Sequence, residues 1–338
     1  MKIIYKRTLS TILKEILEIE KVSVKKSKNK NLNNSHLYFR GESQFFDKRL
    51  PSLYLEKKLI ESGSEYYYRT LLNELGKDDY EGNSSLVRML SELQHYGAKT
   101  RMLDITKNPL IALYFAVEKD FEEAGYLYIY CVSSEEEKFD TGHTSAVKSA
   151  LNLINPKILN EYLEVCTKIK EKVPNLSLEN MSQRELIMKL KNYFNKDEYE
   201  NIKKVINTFM ELLNQRARVR EQLNHPFKIY YDLNVAHIIL PAKSTDRIRQ
   251  QQGAFIFPKY VNTNDKTLEE IQQEIDYSIQ EFNAVLTSKS NNNFSCIRIN
   301  SEDKDRIRKE LRKLGITPGF VFPDIENKSK SLLSEFCY

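Results

Sequence analysis

The sequence predicts an α+β fold: a mixed or antiparallel sheet with flanking helices and a helical insertion. Three observations carry that expectation. Strand-like runs stand on both sides of a long helical tract, from about residue 143 to 222. The strands before and after that tract read as one sheet interrupted, so residues 35–330 are expected to form one domain behind an N-terminal helix and polar loop at 1–34. With 41% hydrophobic residues in 338, the chain also has enough apolar material for a substantial core.

Taken in order, residues 8–22 place Ile12, Ile16 and Leu17 at helical spacing. KKSKNKNLNN (25–34) is polar and turn-prone and reads as a loop. HLYFRGES (36–43) predicts a short strand ending at Gly41, and helical stretches follow around 53–75. From Ser84 to Tyr96, Leu86, Met89, Leu90 and Leu93 make an apolar stripe, with a serine to cap its start and Gly97 at C′. Asn108-Pro109 is a helix start, opening the apolar LIALYFAV.

GYLYIYCV (125–132) predicts a strand. In the helical tract the best stripe is Ile202, Val205, Ile206, Phe209, Leu212 and Leu213, and Pro174-Asn175 marks a break. FKIYYDL, AHIILP, GAFIFP and FSCIRI read as strands. SEDKDRIRKELRKLG (301–315) reads as a capped amphipathic helix stopped by Gly315, and FVFPD (320–324) as a short buried run.

Composition narrows the function classes. Lys and Arg number 52 against 47 Asp and Glu, a net charge of +5, and so even a balance does not demand nucleic acid. The four cysteines lack CxxC spacing and suit a reducing compartment. No apolar run approaches the ~20 residues that cross a bilayer, so a cytoplasmic protein without membrane contact is expected. The five histidines show no paired ligand spacing, so no metal site is expected. Neither a P-loop, GxGxxG nor a GxSxG elbow is present, and Asp104 has no obvious second acid for a glycosidase pair.

The polar segment HYGAKTRMLDIT (95–106) lies between two apolar helices, which makes it a fixed loop whose polar groups need partners or a ligand. Asp104 is placed to accept from nearby amides or from Arg101 and so to organise the turn. A satisfied structural network of Thr100, Arg101, Asp104 and Thr106 stands beside the ligand reading as an equal alternative.

Four blocks carry a resemblance. YFRGES (38–43), LQHYGAKTRMLDITKNPLIALYFA (93–116), DRIRQQQGAFIF (246–257) and LRKLGITPGFVFPD (311–324) resemble the FRG-domain family, named for its Phe/Tyr-Arg-Gly motif. The second block alone fits over more than ten positions, departing at Met102, where the family often has Leu; the helical tract is a further addition. The resemblance implies a shared polar site and, for some members, an anti-phage defence or toxin-like effector role.

The resulting constellation looks like the ADP-ribosyltransferase arrangement. Arg40 would grip a phosphate, Gly41 would let the backbone approach the ligand, and His95 and Tyr96 would frame a ribose or flat ring. Gln94, Thr100, Arg101 and Thr106 would complete the binding residues, with Gln251 and Asp104 acting on the reacting ribose. The ligand would be a nucleotide-type small molecule, NAD as the candidate substrate with no further cofactor required, and the acceptor a protein or nucleic acid. Such enzymes usually carry Glu where RQQQGAF offers Gln, and an amide stabilises positive charge less than a carboxylate. Either Asp104 supplies that charge, or the module senses nucleotides or binds a partner without catalysis. Arg216, Arg218 and Arg220 read as a solvated helix face rather than an RNA-binding patch.

Overall fold

The computed structural model describes residues 2–28, 35–76, 85–284 and 295–336. Strands β1 (Lys2–Tyr5), β2 (Ser35–Glu42), β3 (Leu103–Thr106), β4 (Gly125–Ser133), β5 (Lys138–Phe139), β6 (His237–Leu240), β7 (Gly253–Phe257) and β8 (Ser295–Ile299) form one sheet. Its order is β1-β8-β4-β2-β3-β7-β6-β5. The sheet is mixed: β1–β8 and β5–β6 pair parallel, the other neighbours antiparallel.

The helices between and around them are α1 (Leu9–Lys28), α2 (Lys57–Glu61), α3 (Glu65–Leu75), α4 (Leu86–His95), α5 (Pro109–Val117), α6 (His143–Ala150), α7 (Pro156–Lys172), α8 (Gln183–Leu190), α9 (Lys196–Arg216) and α10 (Pro226–Asn234). After β6 come α11 (Asp246–Gln251), α12 (Leu268–Gln280), α13 (Ser301–Lys313), α14 (Pro318–Val321) and α15 (Ile325–Phe336). The α+β class with a mixed sheet agrees with the sequence reading.

Strand alternation decides what each face carries. Phe39 lies opposite Thr106, and Asp104 opposite Phe255, so Phe39, Gly41, Asp104, Thr106 and Phe255 share one face. Tyr38, Arg40, Glu42, Leu103 and Ile105 leave on the other. That second face is closed by α12 and the turn at Ser52–Leu55, through Ile271, Ile275, Ile279, Leu53 and Tyr54.

Two helical sets share the first face. Over β2, β4 and β8, α1, α5 and α13 bury Ile12, Ile16, Ile111, Leu127, Ile129 and Ile307. Over β6 and β7, α4 and the block α6–α10 pack with Ile239, Phe255 and Phe257. The block's own core includes Tyr162 stacked on Phe209, ring centroids 3.8 Å apart. It is continuous with the α4 stripe (Leu86, Met89, Leu90, Leu93), so the block covers that helix as well as the sheet.

Close approach fixes α5 on the sheet. A Cβ on Gly41 would fall 1.7 Å from the Ala112 carbonyl oxygen, and one on Gly125 2.1 Å from that of Ala116. Only residues without side chains on β2 and β4 permit a helix this near. Asn108 caps α5, its Oδ1 accepting from Leu110 N at 3.0 Å ahead of Pro109.

Several expectations differ from the structure. FKIYYDL is a helix, α10: its alternation mimicked a strand, but Pro226 sits at N1, and Phe227, Tyr230 and Leu233 are buried at helical spacing. The segment read as a loop through 106 becomes strand β3 at Leu103, with Leu103 and Ile105 inward. Helix α1 runs through Lys28, into the presumed loop, because lysine and serine tolerate a helix where no Gly or Pro stops it; residues 29–34 of that loop lie outside the described residues. The cap of α4 is Ser85, whose hydroxyl accepts from Arg88 N, and Ser84 lies outside the described residues. In FVFPD only Val321 is buried, at the end of α14. Strand β1 and helix α12 had no counterpart in the sequence reading.

Candidate functional site

The two helical sets on the first face part above β3 and β7, and a cleft of about 220 Å³ opens there. Its floor is Phe39, Thr106, Asp104, Gly253 and Phe255; α5 contributes Ile111, Ala112 and Phe115, α4 contributes His95, and α11 contributes Arg247, Ile248 and Gln251. Arg40 and Gly41 also line it. Residues from four separate stretches of chain therefore meet at the seam between two helix layers.

Asp104 is the carboxylate of the cleft. Its side chain leaves the central strand toward the opening, and Gln94 Nε2 donates to its Oδ2 at 2.6 Å. Gln94 in turn accepts from Thr100 Oγ1 at 2.7 Å, so its amide is held from both sides. Solvent reaches the Asp104 carboxyl from the mouth, but protein surrounds it on the other sides. That loss of water raises its pKa above the ordinary carboxylate value, against the pull of Arg40, Arg247 and the Gln94 bond. Of the partners expected to organise the turn, nearby amides or Arg101, Arg101 gives Asp104 no hydrogen bond and turns to Tyr54 instead.

His95 ends α4 at the cleft edge. Removal from water, reinforced by the nearby Arg247 charge, lowers its pKa to about 4, so the ring is neutral at pH 7. A neutral imidazole both donates and accepts a hydrogen bond.

Arg40 is largely committed. Its Nε donates to Glu42 at 2.8 Å, and its Nη1 to the Asp104 carbonyl at 2.9 Å. β2 and β3 share only the Phe39–Thr106 pair, and the guanidinium supplies a bond to β3 beyond it. Gly41 touches the cleft, yet its missing side chain makes room for α5.

Thr106 and Gln251 tie walls together. Thr106 Oγ1 donates to the Gln251 carbonyl at 2.6 Å and accepts from Asn108 N at 2.9 Å. Gln251 Nε2 donates to the Val321 carbonyl at 2.9 Å, joining α11 to α14.

Four expected residues stand outside the cleft lining, Gln94 reaching it only through its bond to Asp104. Thr100 is fully buried, its amide donating to Ser52 Oγ at 3.1 Å. Arg101 is buried behind the turn, with Nη1 donating to Tyr54 Oη at 3.0 Å and its guanidinium over the rings of Tyr54 and Tyr260. Tyr96 is 86% exposed at the end of α4. The sequence reading missed Arg247, which the cleft includes. A signal existed: Arg247 and Gln251 stand four residues apart, on one face of a helix. Glu42, two residues along the strand from Arg40, was the other partner legible by alternation.

Among the described residues, no group of three His, Cys, Asp or Glu side chains is placed to hold a metal ion. None of the helices there is long and apolar enough to cross a membrane.

Residues 35–125 match the family model described as FRG domain, and the chain contains that domain. The matched stretch runs from β2 to the first residue of β4. It supplies Arg40, His95 and Asp104, whereas the α11–β7 wall lies outside it. Neither a curated protein nor a solved structure matches the chain.

Proposed function

From an FRG domain at residues 35–125 whose cleft is completed by α11 and β7, we propose a site for a nucleotide-type ligand. NAD is the substrate in this reading, and the reaction is ADP-ribosyl transfer or NAD cleavage. The observation that carries it is the meeting of Asp104, neutral His95 and Gln251 in one cleft between phenylalanines. The carboxylate answers the difficulty raised by glutamine in RQQQGAF: negative charge comes from β3 instead.

The step follows from those groups. The bond between ribose C1′ and the nicotinamide nitrogen breaks, and its electron pair returns to the ring nitrogen, which loses its positive charge. Positive charge then develops on the ribose, where Asp104 stabilises it. Water, or a hydroxyl of a protein or nucleic-acid acceptor, attacks C1′; its proton passes to the Asp104 carboxylate and on to solvent. His95, neutral at pH 7, serves by hydrogen-bonding the ribose. Phe115 and Phe255 offer apolar surface for the nicotinamide ring.

Purified protein incubated with NAD, with and without cell extract, should release nicotinamide or label a macromolecule. Asp104→Asn keeps the shape and should lower turnover on the order of 10²-fold. In cells we extend the reading to an anti-phage or toxin-like effector: expression should deplete NAD, and Asp104→Asn should relieve the depletion.

A second reading has one observation in its favour. The Gln251 amide and the Thr106 hydroxyl are already bonded within the fold, which suits a site that senses a nucleotide without turning it over. NAD that shifts the melting temperature but yields neither nicotinamide nor labelled product would select it.

A further inference from the structure

Arg247 differs from the other arginines of the region. It lies on α11 one turn before Gln251, and its guanidinium carbon sits 4.9 Å from the centre of the Phe322 ring. Its Nε is buried without a hydrogen-bond partner, and among the described residues no carboxylate comes within ion-pairing distance of it. Asp104 and Asp324 act on it only at longer range, too weakly to offset its loss of water. By contrast, Arg40 is engaged by Glu42 and a strand carbonyl, and Arg101, whose Nε is likewise without a partner, gives Nη1 to Tyr54 and lies over two tyrosine rings.

A guanidinium held rigidly at a cleft, partly out of water and unpaired, is costly unless something anionic joins it. We propose that Arg247 is the anion-binding residue of the cleft, taking the phosphate of the nucleotide-type ligand, in place of Arg40. The Phe322 ring beside it limits where the guanidinium sits, and a guanidinium fork can grip two phosphate oxygens at once. The phosphates then lie on the α11–α14 side, and the ribose points toward Asp104 and His95. Naming the anion as a nucleotide phosphate rests on the function proposed above; the assignment of an anion to Arg247 does not.

Calorimetric titration with two probes, ADP-ribose and inorganic pyrophosphate, separates the two ideas. Arg247→Gln should weaken ADP-ribose binding by about 10- to 100-fold, as expected when a bond to a charged group is lost. Arg247→Lys, which keeps the charge and apolar stem but loses the fork, should fall between wild type and Arg247→Gln. It also provides a reading if Arg247→Gln melts early. Pyrophosphate binding that depends on Arg247, with no binding of ADP-ribose, would keep the anion site and remove the nucleotide. Equal ADP-ribose affinity in wild type and a folded Arg247→Gln would overturn the assignment and leave the nucleotide standing. Failure of the wild-type protein to bind either probe would overturn it as well.

Discussion

On the β2–β3 side of the cleft, Arg40 gives Nε to Glu42 at 2.8 Å and Nη1 to the Asp104 carbonyl at 2.9 Å. On the α11 side, Arg247 rests on Phe322 and its Nε has no partner. Both line the same cavity. The first belongs to a conspicuous Tyr-Phe-Arg-Gly stretch and holds the sheet together; the second stands in a stretch read mainly for its glutamine. The difference teaches that a polar residue in a recognisable motif has two ways to be indispensable, and only its hydrogen-bond partners tell them apart. Around this cleft the motif's arginine and glycine serve the frame, while the unmatched wall holds the unspent charge.

The comparison breaks most visibly at Gly41. Gly41→Ala would push a Cβ into the Ala112 carbonyl, a clash between two backbones that rotamer changes cannot relieve. We expect no cooperative unfolding transition in urea, an effect beyond the ~1–3 kcal/mol usual for overpacking. Gly97 has open space around it and φ of +93°, so Gly97→Ala should cost only the ~1–2 kcal/mol of the left-handed backbone. If both variants lost the same amount, contact between α5 and β2 would not be what Gly41 is for.

Arg40→Ala comes next. It strands the buried Glu42 carboxylate, so stability should drop by about 3–5 kcal/mol. Adding Glu42→Gln to it should restore much of the loss, measured by denaturant melts. Arg247→Gln removes a charge that nothing in the fold compensates, and its stability should stay within about 1 kcal/mol of wild type. A large loss there with a small one at Arg40 would reverse the comparison.

The smallest effect is on pH. Burial, with Arg247 nearby, lowers the His95 pKa to about 4; burial, with Lys148 and Lys138 nearby, lowers that of His237 to about 3. An unfolded chain binds both protons near pH 6.5, so their stabilising contribution is complete above that value. It is lost as pH falls from 6.5 through 4 for His95 and through 3 for His237. Melting temperature should therefore decline across this window, and His237→Gln should make the decline shallower. An unchanged slope would mean the ring is not held neutral.

Much of the frame was legible because it is written locally. The α4 stripe, the Asn108-Pro109 start of α5 and the β-branched and aromatic run of β4 each declare themselves within a dozen residues. β1 escaped notice because four residues at the sheet edge gain meaning only beside β8, at the far end of the chain. β3 was hidden because its polar residues face the cleft, leaving only Leu103 and Ile105 to mark a strand. α12 had a readable start, the Thr267–Glu270 capping box, which the sequence reading did not use.

The site divides similarly. That Arg40, His95, Asp104 and Gln251 meet in one cleft follows the expectation that scattered polar motifs converge. Arg101 looked like a ligand contact because its aromatic partners, Tyr54 and Tyr260, are remote in sequence. Thr100 was open to both readings, ligand contact or buried network, because its partner Ser52 is remote in sequence.

A crystal structure of the protein grown with ADP-ribose tests the central claim most directly. The account predicts density over β3 and β7, with phosphate oxygens on the Arg247 guanidinium, the ribose toward Asp104 and His95, and Arg40 still bonded to Glu42. Ligand bound outside this cleft, or phosphates on Arg40 with Arg247 untouched, would contradict it.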